Sequence, residues 1–86
     1  MTIPSRGTPE FWRLYRTLPV DARLLARKNY RLWAGNAFHP SLHFKTIGQA
    51  NWSARVGNRY RAVGKFSGAL FLWEWIGTHE DYSKRF

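Results

Sequence analysis

The last third of the chain, Trp52 to Tyr82, constrains the fold most, because polar and apolar residues there alternate in steps of two between glycine breaks. Trp52, Ala54 and Val56 share one face of an extended segment, and Ser53 and Arg55 share the other. Gly57-Asn58 then supplies a hairpin turn. In the next segment Tyr60, Ala62, Gly64 and Phe66 alternate with Arg61, Val63 and Lys65, and Ser67-Gly68 forms a second tight turn. Ala69–Ile76 is apolar nearly throughout, as expected of a strand covered on both faces. Glu74 interrupts it. A buried carboxylate needs a cation beside it, and Arg55 or Arg61 on a neighbouring strand is the expected partner. Gly77-Thr78 ends the strand, leaving His79–Phe86 as a polar tail of one or two helical turns. The segment therefore reads as an antiparallel meander with arginines on one side and aromatic rings on the other. A phosphodiester chain suits such a basic face.

Upstream, Thr8-Pro9-Glu10 marks a helix start, with a capping hydroxyl, a proline suited to the first turn and an acid at the positive end of the dipole. Phe11, Leu14, Tyr15 and Leu18 follow with i, i+3, i+4, i+7 spacing. Pro19 ends this helix and opens a second, Val20–Ala34, with Ala22, Leu25, Ala26, Asn29, Leu32 and Trp33 on one face. Gly35-Asn36 stops it. Arg23, Arg27 and Arg31 form a row on another face, which is either simply solvated or an auxiliary phosphate contact. Pro40 biases His39 away from helix, making Ala37–Ser41 a connector. Leu42–Ile47 is expected to be a short strand with His43, Lys45 and Ile47 on one side and Leu42, Phe44 and Thr46 on the other. The order of elements gives an α+β class: an N-terminal αα-hairpin packed on one face of a small antiparallel β-sheet, followed by a short C-terminal helix or tail.

Eighty-six residues make one domain, 1–86, with one core. Its five tryptophans bury much area per residue, so so small a core still closes, and Trp33, Trp52, Trp73 and Trp75 are most simply core. The absence of cysteine excludes a disulfide framework and cysteine-based zinc binding. With no apolar leader and no run approaching a bilayer span of about 20 residues, a soluble, cytoplasmic protein without a membrane partner is expected. The net charge is +9, and ten of the fourteen cations are arginine. That excess favours a polyanionic partner and bidentate phosphate contacts. A coding bias toward arginine on a merely solvated surface is the alternative.

The runs His39-Pro40-Ser41-Leu42-His43-Phe44-Lys45, Trp52-Ser53-Ala54-Arg55-Val56, Tyr60-Arg61-Ala62-Val63 and Trp73-Glu74-Trp75-Ile76-Gly77-Thr78-His79-Glu80-Asp81-Tyr82 together resemble the RelE/ParE superfamily of bacterial type II toxins. The likeness spans roughly residues 8 to 82. It implies a toxin held by an acidic cognate antitoxin, which acts by cleaving mRNA on the ribosome or, in the ParE branch, by inhibiting DNA gyrase without catalysis. A basic module that keeps the fold but not the toxicity is a third possibility. Two departures stand out. Members of the superfamily usually begin with a strand, whereas Pro4 and Gly7 leave Met1–Gly7 with a strand that is short or absent. Ser53 and Thr78 also stand where cleaving members carry basic residues.

RNA cleavage without metal or other cofactor activates the 2′-hydroxyl for attack on the adjacent phosphorus. It requires a base, an acid for the leaving oxygen and cations for the developing charge. By resemblance, Arg61, His79 and Tyr82 match positions that carry activity in cleaving members, and Arg55 and Lys45 match more loosely. Imidazole titrates near neutrality, at about 6.5, which suits His79 to acid/base work; a polar residue at a strand end is its bland alternative. Arg55 and Arg61 have the same outward parity and are placed to clamp one phosphate. Tyr82, one helical turn beyond His79, either packs the tail on the sheet or serves a base or a proton. Lys45, Lys65, Arg59 and His43 are further candidates for phosphate contact, beside Arg23, Arg27 and Arg31. His39, His43 and His79 with few carboxylates make no metal ligand set.

Overall fold

A computed structural model describes residues 2–86. Five strands and three α-helices follow one another as β1 Ser5–Gly7, α1 Pro9–Thr17, α2 Val20–Gly35, β2 Lys45–Ile47, β3 Asn51–Val56, β4 Tyr60–Ser67, β5 Leu70–Thr78 and α3 His79–Arg85. The sheet order is β1-β5-β4-β3-β2. Strands β2 to β5 form the expected antiparallel meander, and α1 and α2 cover one of its faces.

The sheet is mixed rather than wholly antiparallel. Strand β1 runs parallel to β5, pairing Ser5 with Phe71 and Gly7 with Trp73. Backbone groups pair this three-residue strand with β5, Phe71 donating to the Pro4 carbonyl (2.9 Å) and Thr8 to the Trp73 carbonyl (2.9 Å), while the Ser5 and Tyr30 hydroxyls meet at 3.1 Å. Proline is tolerated at such an edge. Gly7 is needed, because a Cβ there would run into the Trp12 indole.

The helical hairpin forms where its signals lie. The Thr8 hydroxyl accepts from the Phe11 amide at 3.2 Å, Pro9 occupies the first turn, and α1 breaks at Leu18 before Pro19 caps α2. Phe11 and Leu18 from α1 and Ala22 and Trp33 from α2 enter the core, meeting Ala54, Val56, Ala62, Phe71, Trp73 and Ile76 from the sheet. Trp33 touches Phe44, Phe71 and Trp73, with ring centroids 5.1–5.7 Å apart. Trp75, by contrast, is buried on the opposite face of the sheet, beneath Tyr82 and Phe86 of the C-terminal segment.

Two local expectations are corrected. Leu42–Ile47 is not one strand: Pro40–Leu42 makes a turn of 3-10 helix, His43 takes φ 46°, and only Lys45–Ile47 pairs with β3. The His39 ring nitrogen captures the Ser41 amide (3.2 Å), tightening that turn against extension. Strand β5 does not alternate evenly, because the register slips where Val63 pairs with Trp75 and Gly64 with Trp73. Glu74 is the extra residue of this bulge, which puts it and Trp75 on the same side. Its cation is Lys65 at 3.5 Å, not Arg55 or Arg61. The two-residue repeat carries Lys65 to the Glu74 end of the sheet and leaves the arginines at the other.

Removing Trp33, which is 2% exposed, should be far more damaging than removing Trp12, which is 45% exposed. Trp33→Ala is expected to cost about 3–5 kcal/mol in urea unfolding and Trp12→Ala less than about 1 kcal/mol.

Candidate functional site

The outer face of the sheet, away from α1 and α2, is organised in rows by strand register. One row aligns Arg55, Arg61 and Gly77 across β3, β4 and β5. The next aligns Lys45, Ser53, Val63 and Trp75, about 7 Å along the strands. The third contains Asn51 and Lys65.

Arg55 and Arg61 are directly opposed residues of antiparallel neighbours. Like charges placed so are destabilising. Burial, and after it the Arg55 charge, hold the Arg61 guanidinium below its usual value. Arg55 Nε and Arg61 Nη1 are buried without a hydrogen-bond partner. Two guanidinium groups with unspent donors and mutual repulsion are stabilised most by an anion between or above them.

Helix α3 closes one side of this pair. Thr78 caps it by accepting from the Asp81 amide at 3.1 Å, with Glu80 and Asp81 in the first turn and Lys84 and Arg85 in the last. The Arg61 guanidinium lies over the Tyr82 ring at 5.7 Å, within cation–π range. The Tyr82 hydroxyl donates to Ser53 Oγ at 3.3 Å. His79 is the first residue of α3 and is exposed; its ring centre is 6.0 Å from that of Tyr82. Its amide donates to the Arg59 carbonyl at 2.7 Å, so the β3–β4 turn fixes where the helix begins.

Arg55, Arg61, His79 and Tyr82 are thus gathered at one end of the outer face, with Arg59 in the adjoining turn and Lys45 one row away. Lys65 is drawn toward Glu74. His43 sits at the exposed end of the 3-10 turn. Arg23, Arg27 and Arg31 belong to the opposite layer, on α2, and do not join this group. They border a cavity of about 860 Å³ between the helical hairpin and the sheet, lined mainly by apolar side chains. Arg55 reaches that cavity too, but Arg61, His79 and Tyr82 are not part of its walls. Ser53 was legible only as a missing cation; its bond to Tyr82, 29 residues away, had no signal in the sequence. Thr78, the other missing cation, serves as the cap of α3. Among the described residues no group of three His, Cys, Asp or Glu could hold a metal, and no helix is long and apolar enough to cross a membrane.

No family model matches the sequence, and no curated protein matches it significantly. Solved structures do match. A chain of the RelB–RelE antitoxin–toxin complex from Methanococcus jannaschii superposes with a TM-score of 0.72 at 17% identity, covering 93% of this chain and 96% of that one. This chain has the RelE/ParE toxin fold. The YoeB/ParE toxin from Agrobacterium tumefaciens gives 0.69 at 15% identity over 88% and 98% of the two chains. The RelBE2 toxin–antitoxin complex from Mycobacterium tuberculosis gives 0.63 at 19% identity over 92% and 93%. The RelE/ParE-type fold holds although four-fifths or more of the aligned residues differ.

If the arginine pair is an oxyanion site, phosphate should stabilise the folded protein relative to chloride at equal ionic strength. A gain of about 1 kcal/mol, or roughly 4–8 °C in Tm for a domain this small, is expected. Arg61→Gln should abolish most of that gain, as scanning calorimetry will show.

Proposed function

We propose that this protein is the toxin of a type II toxin–antitoxin pair and that it cleaves mRNA on the ribosome. The observation that carries the reading is the register pair Arg55–Arg61, with buried donors free and with His79 and Tyr82 at its rim. The two arginines would bind the scissile phosphate and stabilise its developing charge. His79 would exchange the proton of the 2′-hydroxyl or of the leaving oxygen. Tyr82, whose ring is already under Arg61, would stack against a base or donate its proton. Lys45 and Arg59 would hold flanking phosphates, so binding should weaken steeply with salt.

The partner follows from the charge and from the company the fold keeps. The Methanococcus jannaschii and Mycobacterium tuberculosis chains come from toxin–antitoxin complexes. A net charge of +9 favours an acidic antitoxin here. The groove between the helical hairpin and the sheet, with Trp12, Leu24 and Tyr30 exposed and Arg23, Arg27 and Arg31 beside it, would accept an amphipathic acidic segment.

A second reading, gyrase inhibition without catalysis, is favoured by Ser53 and Thr78. Both positions lack the cation expected of cleaving members and are committed to holding α3. Induced expression separates the two. Growth arrest with new mRNA 5′ ends, mapped by primer extension, is expected for the wild type, and Arg61→Ala and His79→Ala should each lower cleavage about 100-fold. Undiminished arrest by both variants, with intact mRNA and altered plasmid supercoiling, would replace cleavage by gyrase inhibition.

A further inference from the structure

Ser53 is the one fully buried polar residue among those described, at 2% exposure. A buried hydroxyl is costly unless it is bonded. Lys45 and Val63 flank it in the strand register on the outer face, and its hydroxyl accepts from the Tyr82 hydroxyl at 3.3 Å. Tyr82 depends on this bond in turn. Helix α3 contributes no buried residue, and Tyr82 is its half-buried one. The ring leans on Trp75 and Phe86 with centroids 6.5 and 5.7 Å away, and Arg61 lies over it. None of these contacts engages the phenol hydroxyl. The bond to Ser53 is what fixes the hydroxyl end.

We infer that Ser53 is a positioning residue of the outer-face site: it anchors the Tyr82 hydroxyl and so holds the Tyr82 ring in place beneath Arg61, beside the Arg55–Arg61 pair. A lysine at this position would supply charge but could not accept from a phenol. The inference deepens the cleavage reading and rests on it for its kinetic consequence, while its geometric content stands apart from any activity.

The test uses full-length protein labelled with 13Cζ-tyrosine, because the Cζ shift reports the hydrogen bonding of the phenol. The Tyr82 resonance is identified by its loss in Tyr82→Phe. In Ser53→Ala the Tyr82 signal should move and broaden, and in Ser53→Thr, which keeps a hydroxyl, it should return toward the wild-type position. In multiple-turnover cleavage on programmed ribosomes, Ser53→Ala should lower kcat about tenfold with KM within twofold, as expected when a group is misplaced rather than removed. Ser53→Thr should recover most of that loss. A merely structural serine would instead lower Tm in Ser53→Ala with kcat and the Tyr82 signal unchanged, and that result overturns the inference. An unmoved Tyr82 resonance overturns it whatever the kinetics. If the wild type cleaves no RNA, the cleavage reading fails by itself. Ser53 is then judged on the Cζ shift and on phosphate binding by calorimetry, which should weaken severalfold in Ser53→Ala if the inference holds and stay unchanged if it does not.

Discussion

The edge-to-face packing of aromatic rings around Phe71 is the interaction on which the rest of the molecule depends. Phe71 is 0% exposed and meets Trp33, Phe44, Phe66 and Trp73 at centroid distances of 4.6–5.5 Å, three of the four near perpendicular. Such pairs contribute about 0.5–1.5 kcal/mol each beyond the area they bury. Here they tie α2, the β2 approach, β4 and β5 to one point. A domain of this size has little other core to draw on. The packing also explains Gly64: a Cβ there would meet both the Leu72 carbonyl and the Phe71 ring.

Because the inner face is so fully committed to holding the fold, the outer face is free to carry groups that do not stabilise it. Opposed arginines with unpaired buried donors, one of them held below its usual value by burial and by the other, would be a defect in a purely structural sheet. Perturbed groups of this kind gather where a ligand is to be met. The bulge at Glu74 serves the same division. By shifting parity within β5 it turns Trp75 outward, where Tyr82 and Phe86 need a surface to pack on, and turns Ile76 inward to join Trp73 in the core. Glu74 draws Lys65 to itself and leaves Arg55 and Arg61 without a carboxylate partner.

Much of this was legible in the sequence because it is local. Thr8, Pro9 and Pro19 set the helix ends, the three- and four-residue spacing chose the buried stripe of α1 and α2, and the two-residue period of Trp52–Phe66 assigned Arg55 and Arg61 to one face and Ala54 and Ala62 to the other. The glycine turns carried the hairpins, with Gly57 and Gly68 at φ 63° and 62°. Strand β1 escaped a side-chain reading because its three residues are held by backbone bonds to β5, which no local pattern encodes. The strand expected from Leu42 shortened because a histidine side chain and a proline stabilised a turn instead.

The sequence by itself determined the arginine face, since side-chain parity along a strand follows from covalent geometry. It also set His79 and Tyr82 three residues apart, a helical turn once the tail forms α3. What only the tertiary structure decided is which distant groups complete the site. The Ser53–Tyr82 bond, the placement of Arg61 over the Tyr82 ring and the Lys65–Glu74 pair all join residues brought together by strand register and by the docking of α3. Register depends on a bulge, and docking on a buried ring. Neither leaves a mark on residues near in the chain.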